Sequence, residues 1–444
     1  MKRIVIGMMM VTALAAGAAS TITGVTAAQN PLTGQVEIVY NLAGDDAIVT
    51  LDDILMDGVS IGPSNATAVV GHVARKVPSG NGRIIYWNPR KDIPGRELTG
   101  TLTAQLTAWP TNNPPNYMMV RLDTLAVSNN VFWYASAANL PDGGLTNPVY
   151  RLSRYVMRRI PAKNVVWRMG VSSVTDTGAA GDANQYVRGA PHYVKLTADY
   201  YMGIYPVTYG HHRAITGSVP QTSPSGSDET PLSTVKDKIN YARLRGSGIT
   251  WPTNGHALAS GAILQTYRTV MGVEVDLPTD AQWEFAARAG TSKKYGVNGG
   301  TDSFGSKDSP IIWCSNTAPT TSYPQTVGLL KPNAWGLYDM NGNVWEWCLD
   351  QYDGTWNSET DNWYANAWNQ ATETYNGATV YVDPVGMLLN TGANTDKQRV
   401  IRGGSVGNGS NNALSSYRHM QSYDVNTTNN GWGGFRLACP VPTL

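Results

Sequence analysis

Phenylalanine is scarce in this chain, with four residues against 14 tryptophans and 23 tyrosines. Its aromatic core must therefore be built from rings whose polar tips need hydrogen-bond partners. Charge is also low, at 15% of residues with a net charge of +1. No basic block is present that would neutralise a run of phosphates, which excludes nucleic acid as the partner. The three cysteines, Cys314, Cys348 and Cys439, include no CxxC pair and stand beside no spaced histidine, so a zinc site is excluded. An odd count permits one disulfide with a leftover thiol, or three buried thiols, and the sequence leaves both open. Of the six histidines, His211 and His212 are adjacent and point to different sides of most backbones, so they do not share a metal. After the first residues, no run is apolar enough to cross a membrane.

What is present starts with MKRIVIGMMMVTALAAGAA, a basic start, a short apolar run and then small residues. That is the pattern of an export signal, expected over 1–28 with cleavage at Ala19, Ala27 or Ala28. The alternative, a membrane anchor, is disfavoured because Gly7 and Gly17 break a run already shorter than the ~20 residues a bilayer needs. The mature chain is thus expected to be secreted, periplasmic or at the cell surface, with no transmembrane segment. Abundant Gly, Asn, Ser and Thr suit such a loop-rich protein.

Residues 33–125 read as a small all-β module. QVEIVYNL, AIVTLDDIL, RIIYWN and LTAQLTAW alternate apolar and polar residues between turn formers, which predicts an immunoglobulin-like sandwich. It carries no catalytic grouping: His72 stands alone, and Asp52 and Asp53 read as solvated charges in a turn. A spacer or docking role is the default. Residues 126–164 are irregular and are expected to form a junction, with Val131–Ala135 as one more strand. Arg151, Arg154, Arg158 and Arg159 read as a solvated face rather than a grip on an acidic partner.

From Trp167 the texture changes. Tyr200–Thr208 predicts a strand leading into a short helix, and Thr234–Leu244 a helix capped by Thr234. Ala257–Met271 predicts a helix ended by Gly272, with Ile263, Leu264, Tyr267 and Val270 on one face. The clearest helix lies between Pro278 and Gly290, with Thr279 as cap and Gln282 completing the capping box. Within it, Glu284 and Arg288 read as a structural i, i+4 ion pair worth a few tenths of a kcal/mol. Asn333–Asp350, NAWGLYDMNGNVWEWCLD, concentrates tryptophans, Asp339 and Glu346 between glycines.

Met169-Gly170, Pro191-His192, Tyr205-Pro-Val-Thr208, the 277–290 run, Gly336 to Trp347, Arg402-Gly-Gly-Ser405 and Gly434-Phe-Arg436, in this order and spacing, resemble the formylglycine-generating enzyme family, or sulfatase-modifying factor domain. The likeness covers about 165–440. It implies an α+β, C-type-lectin-like fold with little regular secondary structure over 165–444, preceded by the β-sandwich. It also implies a calcium site made by the side chains of Asp339 and Glu346 and the carbonyls of Gly342 and Val344, hard oxygen donors of the kind Ca²⁺ takes. The alternative is that Asp339 caps a turn and Glu346 meets an arginine such as Arg402 or Arg436. The family's two catalytic, copper-binding cysteines fall on Asn408 and Ala413, neither of which supplies a thiolate. Copper(I) wants sulfur, and the histidines offer no iron-binding repeat, so neither copper nor iron is expected and no catalytic residue is assigned.

Val406–Gly433, framed by RVIRGGS and GFRLACP, is rich in Asn, Ser, Thr and Tyr. It reads as a surface loop pinned at both ends, with the palette of an adaptable binding surface. The pattern resembles the variable proteins of diversity-generating retroelements, some of which use this scaffold. That resemblance nominates Asn408, Ser410, Asn411, Asn412, Ser415, Tyr417, His419, Tyr423, Asp424, Asn426, Asn429 and Asn430 as ligand-binding. The expected function is a non-catalytic, exported binder of a protein or glycan ligand at a cell surface. An oxidase acting on protein cysteine through an unrecognised site, and a structural surface subunit, are the alternatives.

Overall fold

The computed structural model describes residues 19–123, 130–170, 192–218, 227–232, 239–249, 251–319, 323–352, 371–386, 398–422 and 432–444. The chain divides into two compact units at the step from Asn113 to Pro114.

The described residues of the first unit form two antiparallel sheets, with short helical turns at Pro63–Asn65 and Pro89–Asp92. One orders Thr21–Gln29, Val36–Ala43, Gly80–Trp87 and Val69–Gly71; the other sets Ala47–Met56 against Val59–Ser60, Arg75–Val77 and Leu102–Pro110. Alternation is the cause: Val36, Ile38, Tyr40, Ile85 and Trp87 are fully buried, and the residues between them are more exposed. Asp52 and Asp53 lie inside a strand rather than in the expected turn, at a register shift between Leu51 and Asp53. The Asp53 carboxylate accepts the Ile54 N–H at 2.8 Å and the Ser60 hydroxyl at 2.5 Å, which is why a buried acid is tolerated there. Two of the three expected cleavage points, Ala27 and Ala28, fall inside Thr21–Gln29, so a signal running to 28 would remove a strand paired with Val36–Ala43.

The second unit mixes short helices with three sheets. Tyr117–Arg121, Val131–Tyr134, Arg154–Ile160, Tyr200–Gly203 and Ala438–Pro440 form an antiparallel sheet. The expected junction at 126–164 is therefore corrected: its strands belong to this sheet. The arginines that suggested a solvated face have separate partners, Arg151 on Glu229 at 3.1 Å, Arg154 on Asp142 at 3.0 Å and Arg159 on Asp199 at 2.8 Å. Arg158 lies over the Tyr117 ring at 5.1 Å.

A second sheet joins Val165–Met169, His192–Leu196, Ala378–Val382 and Thr372–Tyr375. A third orders Arg418–Ser422, Gln398–Arg402, Trp345–Gln351 and Gly433–Gly434. Trp345–Gln351 is buried at every position, as expected of a central strand covered on both faces.

The helices follow their caps. Tyr209–Thr216 starts at Thr208 and Asp280–Arg288 at Thr279, both with complete capping boxes. Ile263–Met271 ends at Gly272 in the left-handed region. The expected cap at Thr234 lies outside the described residues; the helix that follows is Tyr241–Arg245, capped by the Asn240 side chain. Among the described residues no helix is long and apolar enough to cross a membrane.

Candidate functional site

The site grows from the central strand Trp345–Gln351 and the turn before it. Gly342 has φ 103°, and a Cβ there would collide with the Trp313 carbonyl, so only glycine lets this turn close. The Gly342 N–H reaches the Gly403 carbonyl at 2.6 Å and the Asn343 N–H reaches the Trp313 carbonyl at 2.9 Å. These bonds bring the start of the strand against the RGGS segment.

Beneath lies a buried charge network. Arg402 donates to Asp280 at 2.5 Å, to Glu284 at 2.6 Å and to the carbonyls of Tyr417 at 2.9 Å and Ser415 at 3.2 Å. Arg418 completes Asp280 at 2.5 Å, and Arg288 meets Glu284 at 2.8 Å. The Glu284–Arg288 pair is thus a fully buried part of a larger network, not the weak surface pair that the spacing predicts. Burial alone would raise the Glu284 pKa, but Arg288, Arg402 and Arg418 hold it down at about 2. Burial, then the charge of Asp280, raise the carboxyl of Asp350, which accepts the Asp280 N–H at 2.7 Å. The network fixes the backbone of 415–418 from below.

Above it, the Asn408 amide oxygen accepts the Trp345 indole N–H at 2.8 Å and the Ser405 hydroxyl at 2.6 Å. Trp345 also faces His419, with ring centroids 5.3 Å apart, and Tyr417 at 6.1 Å. Asn316 accepts the Ser410 N–H at 3.1 Å, and the Tyr295 hydroxyl donates to the Ser410 carbonyl at 3.1 Å. Asn408, Ser410, Asn411, Asn412 and His419 are half-buried around this point.

Two nominated residues are corrected. Ser415 is fully buried, its hydroxyl accepting from the Gly296 N–H at 3.2 Å and the Asn341 amide at 3.1 Å. Tyr417 is buried against Trp345. The segment is therefore more than a surface loop: Ser410–Ala413 is a 3₁₀ turn and Arg418–Ser422 pairs antiparallel with Gln398–Arg402. Polar side chains obscured the strand, because its one buried residue, Arg418, packs on the Asp280 carboxylate rather than on aliphatics. Tyr423, Asp424, Asn426, Asn429 and Asn430 lie outside the described residues.

Sequence reasoning missed Asn316, Asn341 and the Tyr323–Trp432 pair, whose rings stand 5.7 Å apart. Their roles come from contacts between distant segments, which leave no local signal. Trp345 is buried in the core, and its N–H on Asn408 makes it a support of the surface as well.

Of the expected calcium ligands, Glu346 is already engaged. Arg436 binds both its oxygens at 2.7 Å and the Trp283 indole N–H adds a third bond at 2.7 Å. Glu346 is thus not the open ligand that the resemblance implies; the arginine alternative describes it. Asp339 accepts the Gly328 N–H at 2.8 Å and is buried. Burial pushes its carboxyl up to about 6, with Glu346 adding and the Gly328 N–H and Arg436 opposing. Among the described residues Arg436 pairs with Glu346 and Asp339 pairs with no lysine or arginine, so Asp339 is the one carboxylate there that a hard cation would find unpaired. The Gly342 carbonyl accepts the Val344 N–H at 3.0 Å. Among the described residues no three acidic, histidine or cysteine side chains converge as a metal site.

The other candidate groups are spent in the core. Cys314, Cys348 and Cys439 are free and buried, and burial raises the Cys348 and Cys439 thiols. Burial lowers His211 and His212 to about 4; His211 reaches the Tyr150 carbonyl at 3.1 Å and His212 the Tyr267 hydroxyl at 2.7 Å.

Residues 161–441 match the sulfatase-modifying factor enzyme 1-like domain, and the chain belongs to that family. The formylglycine-generating enzyme of Streptomyces coelicolor is 31% identical over 142 residues, 29% of this chain and 35% of that protein. The serine/threonine-protein kinase pkn1 of Chlamydia caviae is 37% identical over 113 residues, 25% of this chain and 15% of that protein. This chain therefore spans about a third or less of the length of these curated relatives. Among solved structures, Treponema denticola variable protein 1 aligns over 65% of this chain and 95% of its own, with 21% identity and a TM-score of 0.40.

Proposed function

We propose that this chain is an exported, non-catalytic binding protein whose ligand face is formed by the segment after Ser405. The observation that carries the reading is the state of Asn408. At the position of a family cysteine stands an amide held by Trp345 and Ser405, with its neighbours Ser410, Asn411, Asn412 and His419 half-exposed around it. Position 413, the second, is a buried alanine. Amides, hydroxyls and an imidazole on a rigid base suit adaptable hydrogen bonding to a protein or glycan. The charge network and the Trp345 ring supply the rigidity, so side chains on the face can differ without disturbing the support. Diversification of this segment by a retroelement belongs to the same reading.

Calcium beside Asp339 would neutralise the buried negative charge there and stiffen the turn that carries the face. The N-terminal β unit serves as a spacer or docking module. The test of the non-catalytic reading is direct: copper-loaded protein is incubated with a cysteine-containing peptide and analysed by mass spectrometry. An unchanged cysteine is expected; conversion to formylglycine would reinstate the oxidase.

A further inference from the structure

A second concave site lies in the same unit, in residues the reading above does not use. It is a cavity of about 160 Å³ whose walls include Leu196, Leu277, Ala438 and Pro440, with His256 and Asp383 among its polar groups. A closed cavity of about 150 Å³ holds a six-carbon ring, so this one takes a short alkyl chain.

The polar groups are chiefly acceptors. His256 is half exposed, and its Nδ1 lies 2.9 Å from the Asp276 carboxylate. An ionised carboxylate only accepts, so Nδ1 carries a proton, and in the neutral imidazole Nε2 is then an acceptor. Two further acids of the lining are neutralised from outside it, Asp199 by Arg159 at 2.8 Å and Asp276 by Arg245 at 3.1 Å. The Tyr200 hydroxyl donates away to the Gln282 carbonyl at 2.6 Å. Asp383 differs. It is exposed, accepts only the N–H and hydroxyl of Thr197, and pairs with no lysine or arginine among the described residues.

We propose that this cavity binds a primary alkylammonium group, such as a lysine side chain presents, with the carbon chain along Leu277, Ala438 and Pro440 and the ammonium between Asp383 and His256 Nε2. An ammonium has three donors and no acceptor, the complement of an acceptor-lined space with one uncompensated charge.

The test uses the full chain and n-butylammonium chloride, with n-butanol as the uncharged control, observed by ligand-detected saturation-transfer NMR. n-Butylammonium is expected to bind and n-butanol to bind at least tenfold more weakly. Asp383→Asn, which keeps an acceptor for Thr197, is expected to weaken n-butylammonium at least tenfold with an unchanged melting temperature. Ala198→Trp, at an exposed position of the lining, is expected to abolish binding by filling the cavity. Equal binding of the two probes, or full binding by Asp383→Asn, would overturn the proposal.

Discussion

Arg436 holds both oxygens of Glu346, each at 2.7 Å, across 90 positions of sequence. Neither residue is exposed. The pair ties the GFR segment to the central strand Trp345–Gln351, and it accounts for the carboxylate to which the family resemblance gives a metal and the alternative reading an arginine. Removing one partner leaves a buried, unpaired charge, which costs ~3–5 kcal/mol. Glu346→Gln is therefore expected to lose about that much in urea denaturation; a loss under about 1 kcal/mol would show that the pair is not what holds the strand.

Asp339 gives a pH-dependent prediction for calcium. Burial raises its folded-state pKa to about 6, above the ordinary aspartate value of about 3.9. The folded state therefore binds the proton more tightly, and without a cation stability falls as pH rises from about 4 through 6, by up to ~3 kcal/mol. A bound cation would offset that fall. Chelation is expected to lower the melting temperature at pH 7.5 and to leave it unchanged at pH 4.5. In Asp339→Asn the chelator is expected to have no effect at either pH, and the same shift in the variant as in the wild type would move calcium elsewhere.

Ser415 and its neighbours separate support from surface. The Ser415 hydroxyl accepts from Gly296 and Asn341 in a fully buried place, so Ser415→Ala should cost ~1–3 kcal/mol by stranding those donors. Asn411→Ala and Asn412→Ala, on the half-exposed turn, should each stay within about 0.5 kcal/mol. Thermal denaturation of the three variants checks the contrast.

How much of this was legible before the structure differs by segment. The strands Val36–Ala43 and Ala47–Met56 and the helix Asp280–Arg288 announce themselves by alternation and by a capping box. Arg154–Ile160 does not, because its arginines look like surface until Asp199 arrives from 40 positions away to meet Arg159. The same holds for Arg418–Ser422, whose one buried residue, Arg418, rests on Asp280. Long-range ion pairs leave no periodicity behind them. The family resemblance nominates Ser415, Tyr417, Asn411 and Asn412 alike, and only the geometry separates the first two, which are inside, from the last two on the rim.

Export makes a prediction about the mature terminus. Cleavage after Ala19 keeps the strand Thr21–Gln29 whole, whereas cleavage at Ala27 or Ala28 deletes its pairing with Val36–Ala43. Intact-mass measurement of exported protein is expected to place the first residue at or near Ser20. A terminus beyond Ala28 would mean that the first sheet forms without that strand.

The central claim is that the rim around Asn408 can change freely while the base beneath it cannot. A display library randomised at Ser410, Asn411, Asn412 and His419, with a second randomised at Ser415 and Tyr417, measures this by resistance to protease. Most of the first library is expected to remain folded and most of the second to be digested. Equal loss from both libraries would contradict the account, because the rim would then be structure rather than binding surface.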